Sequence, residues 1–265
     1  MPNLSKHQSS DFTKLLLMGD SKSGKTGALA SLVLAGYKLR ILDLDNGLDA
    51  LATVVRNADP QKLENVEFRT LRDKWASSPV GPIVAGTATA FIESLKMLDR
   101  WKYGDIDLGV PGDWGPDTIL VIDSLTFLSD AAWNFREPLV PRSRDGKYDV
   151  RAVYKDAQDA ISGVLALLTS ESFRTNVIVI SHVRYVDNPD GTKKGYPTSV
   201  GAALSPEIPR YFNSVALTQT GPGGKRQIQT AATAMIDLAN PASFKMLPVL
   251  PIETGLATYF ATLRS

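Results

Sequence analysis

Four short apolar runs recur along the chain: Lys14–Met18 (KLLLM), Lys38–Leu44 (KLRILDL), Thr118–Asp123 (TILVID) and Val177–Ser181 (VIVIS). Near-continuous apolar runs of this length suit parallel strands buried on both faces. Val66–Leu71 (VEFRTL) alternates instead, as a strand with one wetter face does. Helical spacing fills the intervals. Thr26–Ala35 is rich in Ala and Leu and closes at Gly36; Leu48–Arg56 is a short helix; Thr87 can cap a helix that carries Phe91, Leu95 and Leu98; residues 125–136 and Ala152–Thr169 give two more. Residues 72–86, with Pro79, Gly81, Pro82 and Gly86, read as a loop, as do Gly104–Asp117 and the charged stretch 137–150. Val215–Gln219 and Gln227–Thr230 flank Gly221-Pro222-Gly223-Gly224 and predict a hairpin. The expected fold class is α/β: a mainly parallel sheet with helices on both faces and a C-terminal antiparallel hairpin extension. Residues 1–11 read as a flexible tail and 12–265 as one domain.

Composition narrows the function classes. Of 265 residues, 43% are hydrophobic and 22% charged, an ordinary balance with material for a full core. A net charge of +1 argues against a globally basic nucleic-acid binder but leaves a local basic face open. No cysteine is present, which excludes disulfides, thiolate metal sites and a Cys nucleophile and suits a reducing, cytoplasmic compartment. No apolar run is long enough to predict a membrane span.

The first strand runs straight into Gly19-Asp20-Ser21-Lys22-Ser23-Gly24-Lys25-Thr26, followed by Gly27. This G-x-x-x-x-G-K-T spacing, between a strand and a helix, is a phosphate-binding loop. Successive backbone N–H groups turn inward around the β- and γ-phosphates at a helix N-terminus. Lys25 adds a positive charge between those phosphates, and Thr26 offers its hydroxyl to a bridging Mg²⁺. Gly24 sits where a Cβ would crowd the phosphate or strain the turn. ATP and Mg²⁺ are the expected ligands.

Three further residues fall at carboxyl ends of expected strands, where ligands of parallel sheets bind. Asp123 ends the most apolar strand, which is expected beside the phosphate-loop strand, and can hold Mg²⁺. Asp45, in the segment Asp43-Leu44-Asp45-Asn46-Gly47-Leu48-Asp49, can orient or deprotonate an attacking water. His182 can donate a hydrogen bond to the γ-phosphate and report its loss. Their competing readings are an N-cap, an acid-rich turn and a structural histidine.

In this order, Asp43-Leu44-Asp45, Ile119-Leu120-Val121-Ile122-Asp123-Ser124 and Val177-Ile178-Val179-Ile180-Ser181-His182-Val183-Arg184 resemble the RecA-type recombinase core. The likeness runs from about Phe12 to about Thr230, and more narrowly it resembles phage-encoded ATPases associated with single-strand annealing. By that resemblance Lys25 and Thr26 bind nucleotide, Asp123 serves Mg²⁺, Asp45 is the catalytic acid position and His182 the sensor. RecA itself has Glu and Gln where this chain has Asp45 and His182, and the shorter Asp implies slow hydrolysis.

The resemblance also implies two loops facing single-stranded DNA. The first holds Arg142, Arg144, Lys147, Tyr148 and Arg151; the second runs from Arg184 to about Arg210 with Tyr185, Lys193, Lys194 and Tyr196, and is expected to be mobile without a ligand. Asp145, Asp149, Asp187 and Asp190 are interleaved, so a solvated mixed-charge loop is the competing reading. Lys225 and Arg226 on the hairpin are candidates for a finger reaching a neighbouring subunit's site. Implied partners are single-stranded DNA, further copies of the chain in a ring or filament, and a single-strand-binding protein, with no membrane. Two other classes stay open: a small-molecule kinase, and a nucleotide-switched partner-binding module without DNA activity.

Overall fold

In the computed structural model, which describes residues 12–144 and 146–265, the apolar runs lie together at the centre of one sheet. The expected tail, residues 1–11, and Asp145 lie outside the described residues. In chain order the elements are β1 (Lys14–Gly19), α1 (Lys25–Ala28), α2 (Ala30–Leu34), β2 (Lys38–Asp43), α3 (Asp49–Ala58), β3 (Val66–Thr70), β4 (Trp75–Ala76), β5 (Ile83–Val84), α4 (Ala90–Asp99), β6 (Lys102–Tyr103), β7 (Ile106–Asp107), β8 (Gly115–Asp123), α5 (Leu125–Arg136), α6 (Val150–Thr169), β9 (Thr175–Ser181), β10 (Val183–Asp187), β11 (Lys193–Pro197), β12 (Ser214–Thr220), β13 (Arg226–Gln229), β14 (Val249–Pro251) and α7 (Gly255–Arg264).

The main sheet has eight strands in the order β14-β13-β12-β1-β9-β8-β2-β3. The run from β12 to β3 is parallel throughout. β13 and β14 add antiparallel pairs at one edge, as the predicted hairpin requires. Alternation along each buried strand divides the apolar residues between two cores. Leu15, Leu17, Ile41, Val121 and Ile178 face α1, α2, α3 and α7, whereas Leu16, Met18, Leu120, Ile122 and Val179 face α4, α5 and α6. Covering both faces is what lets a parallel sheet be apolar on both. No helix among the described residues is long and apolar enough to cross a membrane.

Several local expectations need correction. The strand bearing Asp123 is not beside β1: β9 lies between β1 and β8. A strand's sequence carries its burial but not its position in the order. The first helix breaks at Leu29, whose N–H turns back to Thr26 O (3.2 Å), a tighter i−3 bond. The loop 72–86 contains a two-stranded ribbon, β4 with β5. The helix near residue 90 is capped at Thr89 rather than Thr87, and the Asp73 carboxylate accepts the N–H groups of Thr89 (2.8 Å) and Ala90 (3.0 Å). The segment after His182 is not a plain loop. It pairs β10 with β11 from Val183↔Pro197 to Asp187↔Lys193 and then makes a 3₁₀ turn over Ser205–Tyr211.

Candidate functional site

Because β1, β2, β8 and β9 are parallel and in register, Gly19, Asp43, Asp123 and His182 emerge at one edge of the sheet. Across that edge Asp43 pairs with Asp123, and Met18 with Ser181. Residues distant in sequence are therefore neighbours in the fold.

The phosphate loop leaves β1 at Gly19 and enters α1 at Lys25. Lys22 (φ 64°) and Gly24 (φ 99°) both take left-handed backbone, which bends the loop into a cup. At Gly24 a Cβ would be strained, as expected, but its steric neighbours are protein: Ile252 Cδ1 at 2.8 Å and Arg226 Cδ at 2.9 Å. Ser23 Oγ and Thr218 Oγ1 share a buried hydrogen bond of 2.6 Å, which ties the cup to β12. Lys25 is 7% exposed and donates to the carbonyls of Gly19 (2.9 Å) and Asp20 (2.8 Å). Its ammonium thus sits inside the cup formed by its own loop. Burial lowers its pKa, while Asp123, Asp45 and Asp20 oppose that shift and favour the charged form.

Thr26 Oγ1 donates to Asp123 Oδ2 at 2.7 Å, so the two expected cation ligands already touch. Asp123 is 1% exposed, and burial pushes its carboxyl up to about 6; the Thr26 hydrogen bond works against the shift, and Asp45 and Asp43 add to it. Among the described residues no group of three His, Cys, Asp or Glu side chains forms a protein-only metal site. A hydroxyl and one carboxylate fit Mg²⁺, which keeps water and phosphate oxygens as its remaining ligands.

Asp45 is half-buried beside this pair and acts electrostatically on Lys25, Asp123 and His182. Asp43 aims it. The buried Asp43 carboxylate accepts Asn46 N–H (2.7 Å), Gly47 N–H (3.4 Å) and the Thr70 hydroxyl (2.8 Å). These bonds hold a turn whose Asn46 has φ 59°. The backbone N–H groups of Leu44 (2.6 Å) and Asp45 (3.2 Å) both donate to Asp123 O, which binds the β2 and β8 ends together.

His182 is placed by Thr126, in the first turn of α5. Its backbone N–H donates to Thr126 Oγ1 (3.2 Å), and its Nδ1 lies 3.3 Å from the same oxygen. The Phe127 ring meets the imidazole edge to face at 6.2 Å. Burial lowers the His182 pKa, helped by the Lys25 charge, so neutral imidazole is favoured. His182 O accepts Thr198 N–H (2.7 Å), and Ser129 Oγ meets Ser199 Oγ at 2.8 Å. The histidine, α5 and the base of the β10–β11 hairpin are therefore joined by hydrogen bonds.

The remaining predicted residues scatter more widely. Arg142 pairs with Glu137 (3.4 Å) and lies over the Tyr148 ring at 4.3 Å; Lys193 pairs with Asp187 (3.6 Å) and Lys194 with Asp237 (2.8 Å). Arg144 and Arg184 are exposed. Lys225 is exposed as well, and Arg226, expected to reach a neighbour, lies against Gly24 of its own loop. Arg226, Ile252 and Glu253 form one wall of a groove whose other wall is Gly27, Ala30, Ala50 and Val54. Asp43 entered the sequence reading only as part of its acidic segment, with no role of its own, and Thr126, Thr218 and Ile252 were given none. Asp43 had a visible signal, an acid three residues before Asn46-Gly47; the others depend on long-range contacts.

No curated protein matches the chain. A crystal structure of the RadB recombinase is similar at 16% sequence identity and a TM-score of 0.43, covering 85% of this chain and 83% of that one. The model of an AAA domain family matches residues 11–237, and the chain, a P-loop protein with its acids and histidine gathered at one sheet edge, belongs to that family.

Proposed function

We propose that the chain is a Mg²⁺-dependent, RecA-like ATPase that binds single-stranded DNA and promotes annealing or recombination of the phage type, assembling in multiple copies. The observation that carries this reading is the convergence of Lys25, Thr26, Asp123, Asp45 and His182 at one edge, with His182 leading directly into the β10–β11 hairpin.

The phosphates enter the cup from Gly19 to Thr26. Lys25 exchanges its contacts with Gly19 O and Asp20 O for phosphate oxygens. Thr26 and Asp123 would hold Mg²⁺, which would supply charge neutralisation at the phosphates. Asp45 orients the attacking water and takes its proton. Neutral His182 donates from the nitrogen facing the γ-phosphate while Thr126 fixes the other side of the ring. The nucleoside lies in the groove between Gly27 and Ile252. Loss of the γ-phosphate frees the imidazole, and its bonds to Thr126 and through Thr198 carry the change to α5 and the hairpin. Arg144 and Arg184, exposed on the two candidate DNA segments, supply phosphate contacts.

Phosphate release by the purified protein, measured at low salt with and without single-stranded oligonucleotide, tests the reading. ATP turnover that changes with DNA is expected, and Lys25→Ala should abolish both turnover and ATP-dependent DNA binding. Turnover indifferent to DNA, with no DNA binding in any nucleotide state, would favour the nucleotide-switched module. Transfer of phosphate to a small acceptor would favour a kinase.

A further inference from the structure

The β12–β13 hairpin is fastened to the phosphate loop of its own chain. Ser23 Oγ bonds Thr218 Oγ1 on β12. At Gly24 the place a Cβ would take is closed by Arg226 Cδ (2.9 Å), from β13, and by Ile252 Cδ1 (2.8 Å), just past β14. Alternation along the strands explains why these two side chains meet there. Arg226 lies on the same face as Ile228, and Ile252 on the same face as Leu250; Ile228 and Leu250 are buried in the core that holds Leu29 of the helix after the loop.

The stem of Arg226 is thus packed while its head is unpartnered. The residue is exposed, and its guanidinium makes no hydrogen bond or ion pair among the described residues. A guanidinium presents five N–H donors in a planar fork that matches phosphate oxygens. The groove of about 480 Å³ that begins at Gly24 holds three charged residues, Lys225, Arg226 and Glu253. No ion pair joins them among the described residues, and with Glu253 set against Lys225 one cation is left over. Gly24 belongs both to the phosphate cup and to this groove. A nucleotide with its terminal phosphates in the cup and its nucleoside in the groove is joined across Gly24 by its α-phosphate.

We infer that Arg226 binds the α-phosphate of the nucleotide held by its own phosphate loop, so that the hairpin completes the site in cis. The inference rests on the nucleotide reading above and adds a phosphate ligand to it. Lys25 meets the phosphates from inside the cup, and Arg226 meets them from the groove side. Reaching a neighbouring subunit's site would require the stem to leave Gly24. The α-phosphate is common to ATP and ADP, so the contact strengthens both and does not tell them apart.

Calorimetric titration of the full chain with Mg²⁺ and either ADP or a non-hydrolysable ATP analogue tests this. Arg226→Gln is expected to weaken both ligands by a similar factor, roughly 5- to 50-fold, the scale of a charge-assisted hydrogen bond. Arg226→Lys keeps the stem and the charge and should recover most of that loss. Arg226 is exposed, so melting curves of both variants should match wild type. Mixing Arg226→Gln chains with Lys25→Met chains should restore nothing, because each loop is completed by its own hairpin. Wild-type affinity in Arg226→Gln would overturn the inference and leave the nucleotide reading standing. A loss confined to the ATP analogue, or affinity recovered in the mixture, would make Arg226 a finger for a neighbour's γ-phosphate and overturn it too. A loss that Arg226→Lys does not relieve would point to stacking on the base and overturn the phosphate contact. Failure of wild type to bind either nucleotide would sink the nucleotide reading and this site with it.

Discussion

Two buried lysines stand at opposite ends of the phosphate-loop strand. Lys14 begins β1 and is 6% exposed; Lys25 follows its far end across the loop and is 7% exposed. Each donates to two backbone carbonyls: Lys14 to Phe173 (2.6 Å) and Thr175 (2.8 Å), Lys25 to Gly19 (2.9 Å) and Asp20 (2.8 Å). Burial lowers both pKa values, yet their settings differ. No charge offsets the shift at Lys14, which falls to about 7; beyond its two carbonyls, the Phe173 ring lies 4.8 Å from its ammonium. Around Lys25, Asp123, Asp45 and Asp20 favour the ammonium. Similar burial and similar bonds thus leave an uncompensated amine at one end and, at the other, one whose ammonium three carboxylates favour. Local geometry does not distinguish them; the carboxylates do.

The largest expected effect comes from removing Lys25, the lysine of the proposed nucleotide site. Lys25→Met should weaken binding of a fluorescent ATP analogue by at least about 100-fold, because a buried charge partner is lost while the acids that faced it remain. The fold should survive, since Lys25 joins only its own loop. An affinity within a few-fold of wild type would show that the backbone cup alone holds the phosphates and would erase the contrast between the lysines.

The next effect comes from the acids. Asp123→Asn should lower Mg²⁺-dependent turnover by about 10²- to 10³-fold, the scale of losing a transition-state electrostatic contact. The same change should raise the melting temperature of the nucleotide-free protein by ~2–4 °C, because a buried carboxylate with a raised pKa is costly in its charged form near neutral pH. An activity loss with a lower melting temperature would mean that Asp123 supports the fold, and the contrast would then not separate function from stability.

How much of this was legible beforehand follows from what each feature depends on. The phosphate cup was readable because Gly19 to Thr26 is continuous and its conformational demands fall on glycines. The parallel core was readable because burial on both faces leaves an unbroken apolar run such as VIVIS. The order of strands was not: nothing within TILVID states that β9 intervenes between it and β1. Asp45 and His182 stood out as candidates by their place at strand ends, whereas Thr126, whose hydroxyl meets the imidazole, is bland in sequence because that contact depends on the packing of α5 against β9. The β10–β11 hairpin was hidden by Gly191, Gly195 and Pro197, which punctuate a tight ribbon as readily as a loop. Lys14 was read as the start of a strand, and its buried amine is visible only once Phe173 and Thr175 are placed against it.

That amine gives the smallest effect and the sharpest pH test. In the unfolded chain Lys14 keeps its proton up to about pH 10.5, in the fold only up to about 7. Between those values the unfolded chain binds more protons, so stability rises with pH from about 7 to 10.5 and is lowest, on this account, below 7. Lys14→Met removes the titrating group. Urea unfolding at pH 6.5 and 9.5 should show wild type gaining stability at the higher pH and the variant gaining less. At pH 6.5 the variant should be the more stable by about 1–3 kcal/mol, a discounted figure because solvent still reaches part of the amine. At pH 9.5 the gap should narrow, since the neutral amine of wild type keeps its two carbonyl bonds at little desolvation cost. Nucleotide affinity should not change, because Lys14 lies at the opposite edge of the sheet. A variant less stable than wild type at both pH values would mean that the two carbonyl bonds outweigh the burial of charge, and the two lysines would then differ in position alone.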